Sequence, residues 1–238
     1  MQTAIIVRQN RNHIARTLRY LYSKTLKIYR IFSGHYPQTK EYMRGNLENS
    51  FVFLQEFKKD MFNTGAVLPS SRGLSKFITD IADLRQRKTV VELGSGTGVF
   101  TREISKKLST EATFFALEFN KNFANQTKQN CPNVTVYNDD AKNIQKYLYS
   151  HNKKSCDCII SGLPWSYFNE IKQNELIDNI YDVLENGGTF LAFSYIQSSF
   201  LPRGIKFRKL LEKKFRIIIK TKTVWTNLPP AFVYICIK

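Results

Sequence analysis

A glycine-rich segment preceded by an acidic residue is the part of the sequence whose residue types and spacing best indicate chemistry. Glu92 lies in an apolar run of β-strand type, and Gly94, Gly96 and Gly98 follow at every second position. Glycine lets the backbone turn sharply and approach a ligand, because no Cβ intervenes. The helix-compatible segment that begins at Val99 would offer unpaired N–H groups to the same ligand. The pattern therefore predicts a ligand-binding loop between a strand and a helix.

The spacing of these glycines separates two classes of cofactor. Dinucleotide-binding folds use G-x-G-x-x-G, whereas this loop has G-x-G-x-G, with Glu92 two residues before the first glycine. A carboxylate suits a cofactor with a cationic amino group and a sulfonium better than one with a pyrophosphate. The loop resembles motif I of the S-adenosylmethionine-dependent methyltransferases; a glycine-rich turn in an ordinary α/β protein is the alternative. The predicted cofactor contacts here are Glu92, Gly94, Ser95, Gly96, Thr97, Gly98 and Thr101.

Three later strand ends carry groups that could complete the site, because ligands of parallel α/β sheets bind beyond the carboxyl ends of the strands. Glu118 ends the second strand and could accept hydrogen bonds from two ribose hydroxyls. Asp140, which follows the third strand, could accept from an adenine amino group with Ala141 at the ring edge, or could cap a helix. The fourth strand ends in a proline-rigidified turn, Ser161-Gly162-Leu163-Pro164-Trp165. The predicted site thus spans four strand ends.

The alternation of short strands and helices predicts the fold class. Predicted strands are 89–93, 112–118, 134–137, 156–161, 189–196, 215–224 and 231–237. Predicted helices between them are 99–108, 121–130, 142–149, 169–185 and 205–214. This order predicts an α/β fold with a seven-stranded, mainly parallel sheet and helices on both faces. The last strand would run antiparallel, because a hairpin leads into it.

Two further strings narrow the resemblance to one family. "TGAVLPSS" at 64–71 and "NLPPAFVY" at 227–234 are similar to the bacterial phospholipid N-methyltransferases. With "ELGSGTG", "DDA" and "SGLPW", the resemblance covers roughly residues 51–238. It implies a Rossmann-like class I methyltransferase fold and S-adenosylmethionine as cofactor. It also implies methylation of phosphatidylethanolamine to its mono-, di- and trimethylated forms, the last being phosphatidylcholine.

The resemblance also assigns the fourth strand end, and the chemistry of the expected lipid substrate indicates the remaining site residues. In methyltransferases of nitrogen, this turn faces the transferred methyl group, so the predicted catalytic residues are Ser161, Gly162, Leu163, Pro164 and Trp165. Ser161 is also a predicted cofactor contact. Tyr195, which ends the fifth strand, is the last predicted catalytic residue. Asp139 and Tyr195 are considered as a proton acceptor, although neither is compelling. Aromatic rings that could stabilise a methylated cation are Trp165, Tyr167, Phe168, Tyr195 and Trp225. The predicted lipid contacts are Ser70, Ser71, Arg203, Lys206, Asn227 and Pro229.

The main rival is the rRNA adenine dimethyltransferase family, which is similar in fold and in the fourth motif. That family has Asn-Leu-Pro-Tyr, whose amide accepts a hydrogen bond from the target amino group, whereas this chain has Gly162-Leu163-Pro164-Trp165. Only 73 residues follow Trp165, too few for the extra helical domain of that family. A basic module that binds RNA or membrane without catalysis is a further alternative.

Charge predicts the partner. The chain holds 36 Lys and Arg against 19 Asp and Glu, a net charge of +17, which indicates a polyanion: nucleic acid or an anionic membrane surface. Residues 1–40 contain eight basic residues and no acidic one, and residues 11–32 have helical period with an aromatic-containing apolar arc. This predicts an amphipathic arm over 1–45 that binds membrane, followed by the methyltransferase domain over 46–238. Packing of the arm on the domain, or a transit peptide, are the alternatives.

The composition of the chain indicates where in the cell the protein is expected to act. No stretch reaches the roughly 18 consecutive apolar residues of a membrane span. The four cysteines lack metal-site spacing, which predicts buried thiols in a reducing compartment and no metal. We therefore expect a cytoplasmic monomer that associates peripherally with the inner face of the membrane, with nucleic acid as the less favoured partner.

Overall fold

A seven-stranded sheet forms the centre of the structure, a computed structural model that describes residues 70–227 and 229–238. The strands are β1 (Thr89–Leu93), β2 (Thr113–Leu117), β3 (Thr135–Tyr137), β4 (Cys156–Ser161), β5 (Leu184–Tyr195), β6 (Ile217–Lys220) and β7 (Ala231–Ile237). Their order is β3-β2-β1-β4-β5-β7-β6. The first five run parallel, and β7 is antiparallel to both β5 and β6. The predicted sheet, including its antiparallel last strand, is confirmed.

Helices cover both faces of this sheet. They are α1 (Ser70–Ile81), α2 (Val99–Ser105), α3 (Lys121–Asn130), α4 (Ile144–Ser150), α5 (Glu170–Val183) and α6 (Pro202–Lys214). Neighbouring residues of β1 serve opposite faces: Val91 packs in the core with α4, α5 and α6, whereas Val90 packs with α1 and α2. Short 3-10 helices occupy Leu84–Gln86, Ala141–Asn143, Trp165–Tyr167 and Gln197–Phe200. All five residues of β1 are buried, as expected of a parallel strand with both faces covered.

Several predicted boundaries are wrong, among them the start of β5, which is Leu184 rather than residue 189, and the end of α2, which is Ser105 rather than residue 108. The helix predicted to reach residue 185 ends at Val183, because Leu184 is already extended and pairs with Cys156 of β4. The last helix begins at Pro202 rather than at residue 205, since proline is well tolerated in the first helical turn, where its missing N–H has no partner to lose. The strand predicted over 215–224 is regular only over Ile217–Lys220.

The amphipathic arm predicted over 1–45 lies outside the described residues and stays a prediction. The four cysteines are buried free thiols, as predicted. Within residues 70–227 and 229–238, no helix is long and apolar enough to cross a bilayer, and no cluster of His, Cys, Asp or Glu could hold a metal ion.

Candidate functional site

A cleft opens at the carboxyl ends of the parallel strands. Its wall includes Gly94 after β1, Glu118 after β2, Asp139 and Asp140 after β3, and Gly162 after β4. The strand order reverses at β1, which lies between β2 and β4. Open α/β sheets bind their ligands at such a switch point. Four strand ends that the sequence marked are therefore brought to one cleft.

The glycine loop has a backbone that only glycine adopts readily. Gly94, Gly96 and Gly98 all have positive φ, at 79°, 58° and 86°. A Cβ on Gly94 would also lie 3.0 Å from the Leu163 side chain. Gly94 thus packs closely against the turn after β4 and lines the cleft.

Glu118 connects this loop to the end of β2. Its Oε2 accepts from the Gly96 N–H at 2.8 Å and its Oε1 from the Asn120 N–H at 2.9 Å. The side chain is buried, yet it lines the cleft. An ionised carboxylate has about four acceptor positions, so two remain for a ligand's hydroxyl groups. This arrangement suits the predicted ribose contact.

Glu92 is the least satisfied polar side chain of the site. It is fully buried behind the glycine loop, where its Oε2 accepts from the Thr101 hydroxyl at 2.6 Å. Its Oε1 has no donor among the described residues. Burial, aided by the charge of Glu118 and opposed by the Thr101 hydrogen bond, raises the pKa of Glu92 to about 8. A buried acceptor without a donor fits a ligand that brings a cationic amino group.

Four other predicted cofactor residues brace the loop rather than line the cleft. Buried Ser95 shares a hydrogen bond with Thr127, and the Thr97 carbonyl accepts from the Asn130 amide at 2.9 Å. The Thr101 hydroxyl is used by Glu92. The Ser161 hydroxyl accepts from the Trp165 indole N–H at 3.1 Å. Direct cofactor contacts by these residues stay predictions.

The carboxylates after β3 are fixed by cations and hydroxyls. Asp140 caps the following 3-10 turn through the Lys142 N–H and forms an ion pair with Lys172 of α5 at 3.1 Å. Ala141 is buried and lines the cleft beside it. The Tyr147 hydroxyl donates to Asp139 at 2.7 Å, the largest of the contacts that lower the pKa of Asp139 to about 2. At that pKa Asp139 is a poor proton acceptor.

Lys172 is a cleft residue that the sequence did not reveal. It lines the wall and contacts both Asp140 and Glu175, each at 3.1 Å. It lies on α5, which follows β4, whereas Asp140 follows β3. Only the packing of α5 beside the 3-10 turn brings the two together, so no local pattern could have indicated the pair.

The turn after β4 packs on the glycine loop backbone to backbone. The Gly162 N–H donates to the Leu93 carbonyl at 2.8 Å, and a Cβ on Gly162 would lie 2.4 Å from the Gly94 carbonyl oxygen. Leu163, Pro164 and Phe168 complete this side of the cleft. This wall of the cleft, which we name the acceptor side because the resemblance predicts that the turn faces the transferred methyl group, consists of backbone and apolar side chains.

The structure corrects the prediction that Trp165 presents its indole to a ligand. Trp165 is buried in the core and stacks on Phe207 with ring centroids 4.6 Å apart. Its indole can be buried because Ser161 satisfies the N–H. Phe168, two residues before α5, is the predicted aromatic that lines the cleft.

The remaining predicted residues are not among those that line the cleft. Burial, with the nearby Tyr167, raises the pKa of Tyr195 to about 12, so its phenol keeps its proton at neutral pH. Arg203 donates to the Tyr167 carbonyl, and Lys206 pairs with Glu170. The buried Asn227 amide donates to the Pro229 carbonyl at 2.7 Å. Ser70 and Ser71 begin α1, and their side chains are not described.

Comparisons with known proteins agree with this geometry. Residues 90–188 match the family described as a methyltransferase domain. An ornithine lipid N-methyltransferase of Singulisphaera acidiphila is 26% identical over 193 residues, which are 80% of this chain and 96% of that protein. A tRNA adenine N6-methyltransferase of Actinobacillus pleuropneumoniae is 31% identical over 91 residues, which are 38% of this chain and 37% of that protein.

Solved structures show the same fold. An O-methyltransferase from Bacillus cereus, solved in complex with SAH, superposes with a TM-score of 0.58 at 15% identity. The match covers 75% of this chain and 88% of that one. The fold, the matched domain and the unpaired Glu92 oxygen behind the glycine loop agree on the cofactor. The chain has the Rossmann-like methyltransferase fold, its residues 90–188 match a methyltransferase domain, and S-adenosylmethionine is its cofactor.

Proposed function

We propose that the protein is an N-methyltransferase that acts on the amino head group of a membrane lipid. Phosphatidylethanolamine is the proposed substrate, and the products are its mono-, di- and trimethylated forms, ending in phosphatidylcholine. The relative named as an ornithine lipid N-methyltransferase supports this proposal, because the similarity spans 96% of its length. That relative also makes an ornithine lipid the second candidate substrate.

The residue type at position 162 favours a lipid amine over an RNA adenine as the methyl acceptor. The rival family places an asparagine amide at this position, where it accepts a hydrogen bond from the target amino group. Here even a Cβ would lie 2.4 Å from the Gly94 carbonyl oxygen, so no side chain fits without a shift of the backbone. The similarity to the tRNA-modifying relative also spans only 37% of that protein. Both observations favour an acceptor that needs no side-chain amide.

The apolar acceptor side suits an amine that must lose a proton. When bound, S-adenosylmethionine supplies an electrophilic methyl group on a sulfonium. Only a neutral amine has a lone pair to attack it, and burial against Leu163, Pro164 and Phe168 disfavours the ammonium form. Among the described residues, Tyr195 holds its proton too tightly and Asp139 too weakly to act as a strong base at neutral pH. Desolvation and orientation of the amine therefore supply most of the acceleration.

The proposed site of action is the inner face of an anionic membrane. A net charge of +17 favours such a surface, where each Lys or Arg near the bilayer contributes about 1 kcal/mol. The amphipathic arm over 1–45 would hold a monomeric, otherwise cytoplasmic enzyme there. Structured RNA is the alternative polyanion.

Methyl transfer from radiolabelled S-adenosylmethionine tests the proposal. One reaction contains phosphatidylglycerol vesicles with phosphatidylethanolamine, a second contains the same vesicles with an ornithine lipid, and a third contains structured RNA. Vesicles without any amino-lipid are the control. We expect label in the phosphatidylethanolamine vesicles, with up to three methyl groups per lipid. Label only in the ornithine lipid would correct the substrate, and label only in RNA would contradict the function.

A further inference from the structure

Large apolar side chains are exposed around the acceptor side of the cleft. We use the name apolar rim for five of them: Ile171, Phe200, Leu201, Ile205 and Trp225. Ile171 is 79% exposed, Phe200 65% and Trp225 61%. Exposed side chains of this size are costly in water when they lie close together, and such patches mark interaction surfaces.

The fold places these residues at one edge of the sheet. Phe200 and Leu201 follow the carboxyl end of β5, and Leu201 is the residue before α6. Trp225 lies in the connection that leads into β7, whose first residue, Ala231, pairs with Tyr195 at the end of β5. The Ile196 N–H donates to the Pro230 carbonyl at 3.0 Å and ties the two segments together. Both therefore belong to the edge at which the cleft opens.

Hydrogen bonds join the rim to the cleft wall. Arg203 donates to the Tyr167 carbonyl at 2.9 Å, and Tyr167 lies between the cleft residues Pro164 and Phe168. The Gln173 amide contacts the carbonyls of Trp165, Phe168 and Arg203. The Lys206–Glu170 ion pair then brings the start of α6 beside Ile171 at the start of α5. The rim is thus fixed next to the acceptor side.

The charge around the rim indicates what it contacts. Arg203, Lys206 and Lys209 are exposed on the first turns of α6, beside Leu201 and Ile205, and Lys206 also pairs with Glu170. Bulky apolar groups fringed by cations match a bilayer interface, in which tryptophan and phenylalanine enter the head-group region and cations meet anionic lipids. Single-stranded RNA would favour aromatic stacking, which Ile171, Leu201 and Ile205 cannot provide.

We propose that the apolar rim is a docking surface for an anionic bilayer, and that docking sets the acceptor side of the cleft against the lipid head groups. The orienting role rests on the proposed lipid substrate. The docking itself does not, since it depends only on the exposed apolar and basic groups of this edge.

Vesicle sedimentation with the full-length chain tests the docking surface. The F200S/L201S variant removes two apolar side chains that lie outside the cleft, and Tyr149→Ser is the matched control. Tyr149 is 56% exposed on α4, away from the rim. On vesicles of phosphatidylethanolamine and phosphatidylglycerol we expect at least tenfold weaker binding for F200S/L201S and wild-type binding for Tyr149→Ser. Cofactor affinity and thermal unfolding should match the wild type in both.

The two tryptophans give a second readout. Trp165 is buried and Trp225 exposed, so brominated lipids should quench the fluorescence of Trp225 when the rim enters the bilayer. Replacing Trp225 with phenylalanine should remove the quenching.

The outcomes separate docking from function. Weaker vesicle binding by F200S/L201S without any lipid methylation would support docking and contradict the proposed function. Wild-type binding by F200S/L201S, or absence of quenching, would overturn the docking surface even if the lipid is methylated. Either result would mean that the rim does not contact lipid and that another part of the chain, or a partner protein, covers it instead.

Discussion

On the β1–β3 side of the cleft the wall carries carboxylates among apolar side chains such as Phe119 and Phe123, whereas on the β4 side it is built from backbone and apolar side chains. Glu118 and Asp139 are held in place by N–H and hydroxyl donors, and Glu92 lies buried behind them. Across the cleft, Gly162 packs its backbone on the glycine loop, followed by Leu163 and Pro164. The two walls of one cleft are therefore suited to chemically different parts of its ligands.

This difference assigns separate tasks to the two sides. Fixed carboxylates can meet hydroxyl and amino groups without reorganisation, which suits the polar part of a cofactor. An apolar wall excludes water and favours a neutral amine. The two sides touch at Gly94 and Gly162, so a change there should damage both.

The largest effect is expected from Gly162→Asn, which inserts a side chain where the two sides meet. Its Cβ would lie 2.4 Å from the Gly94 carbonyl oxygen, so the glycine loop must shift. Overpacking of this kind typically costs about 1–3 kcal/mol, and a clash with backbone belongs at the upper end. We expect the free energy of unfolding to fall by about that amount and cofactor binding to be lost. Urea unfolding and calorimetric titration with the cofactor measure both.

Gly73→Ala is the matched control for this substitution. A Cβ on Gly73 would lie 3.4 Å from the Thr226 hydroxyl, which is an ordinary contact, and Gly73 is within α1. Replacing a helical glycine with alanine should leave stability unchanged or raise it by up to about 1 kcal/mol. A Gly162→Asn protein as stable as wild type, with intact cofactor binding, would show that the close approach is unimportant.

A smaller effect is expected from Glu118→Ala on the carboxylate side. The substitution leaves the Gly96 and Asn120 N–H groups without their acceptor and removes the predicted ribose contact. Loss of a charged hydrogen-bond partner costs about 2 kcal/mol, so cofactor affinity should fall about thirtyfold. Glu111→Ala, which removes an exposed carboxylate just before β2, should leave the affinity unchanged. An unaltered dissociation constant for Glu118→Ala would remove this residue from the site.

The carboxylate side could be predicted from the sequence because its signals are local. Three glycines that need positive φ follow an apolar strand, and Glu118 ends the next one. Strand ends of a parallel sheet meet at one edge, so residue type and position were enough to bring these groups together. The parallel sheet itself followed from the alternation of elements.

The acceptor side could be predicted only in part because it depends on long-range packing. The sequence marks Trp165 as an aromatic in a rigid turn, but burial of its indole depends on Phe207 of α6 and on Ser161. Lys172 reaches Asp140 only after α5 packs beside the 3-10 turn. The apolar rim joins Ile171 to Trp225 across 54 residues of sequence, a proximity that no periodicity contains.

The smallest effect is expected from Glu92→Gln and appears as a change in pH dependence. The folded pKa of about 8 lies above the ordinary glutamate pKa of 4.5, so between these pH values the folded state binds more protons than the unfolded state. Stability of the cofactor-free protein should therefore fall as pH rises, by about 1 kcal/mol between pH 6 and pH 7. Glu92→Gln cannot ionise and should lose this slope. Urea unfolding at several pH values measures it.

Cofactor binding should show the opposite dependence if Glu92 pairs with the cofactor's cationic amino group. The ionised carboxylate then binds better than the neutral acid, so wild-type affinity should rise as pH increases from 6 towards 8. Glu92→Gln should bind more weakly and with little pH dependence, whereas Glu111→Ala should keep the wild-type profile. A wild-type affinity that stays constant over this range would mean that Glu92 supports the glycine loop without meeting the amino group.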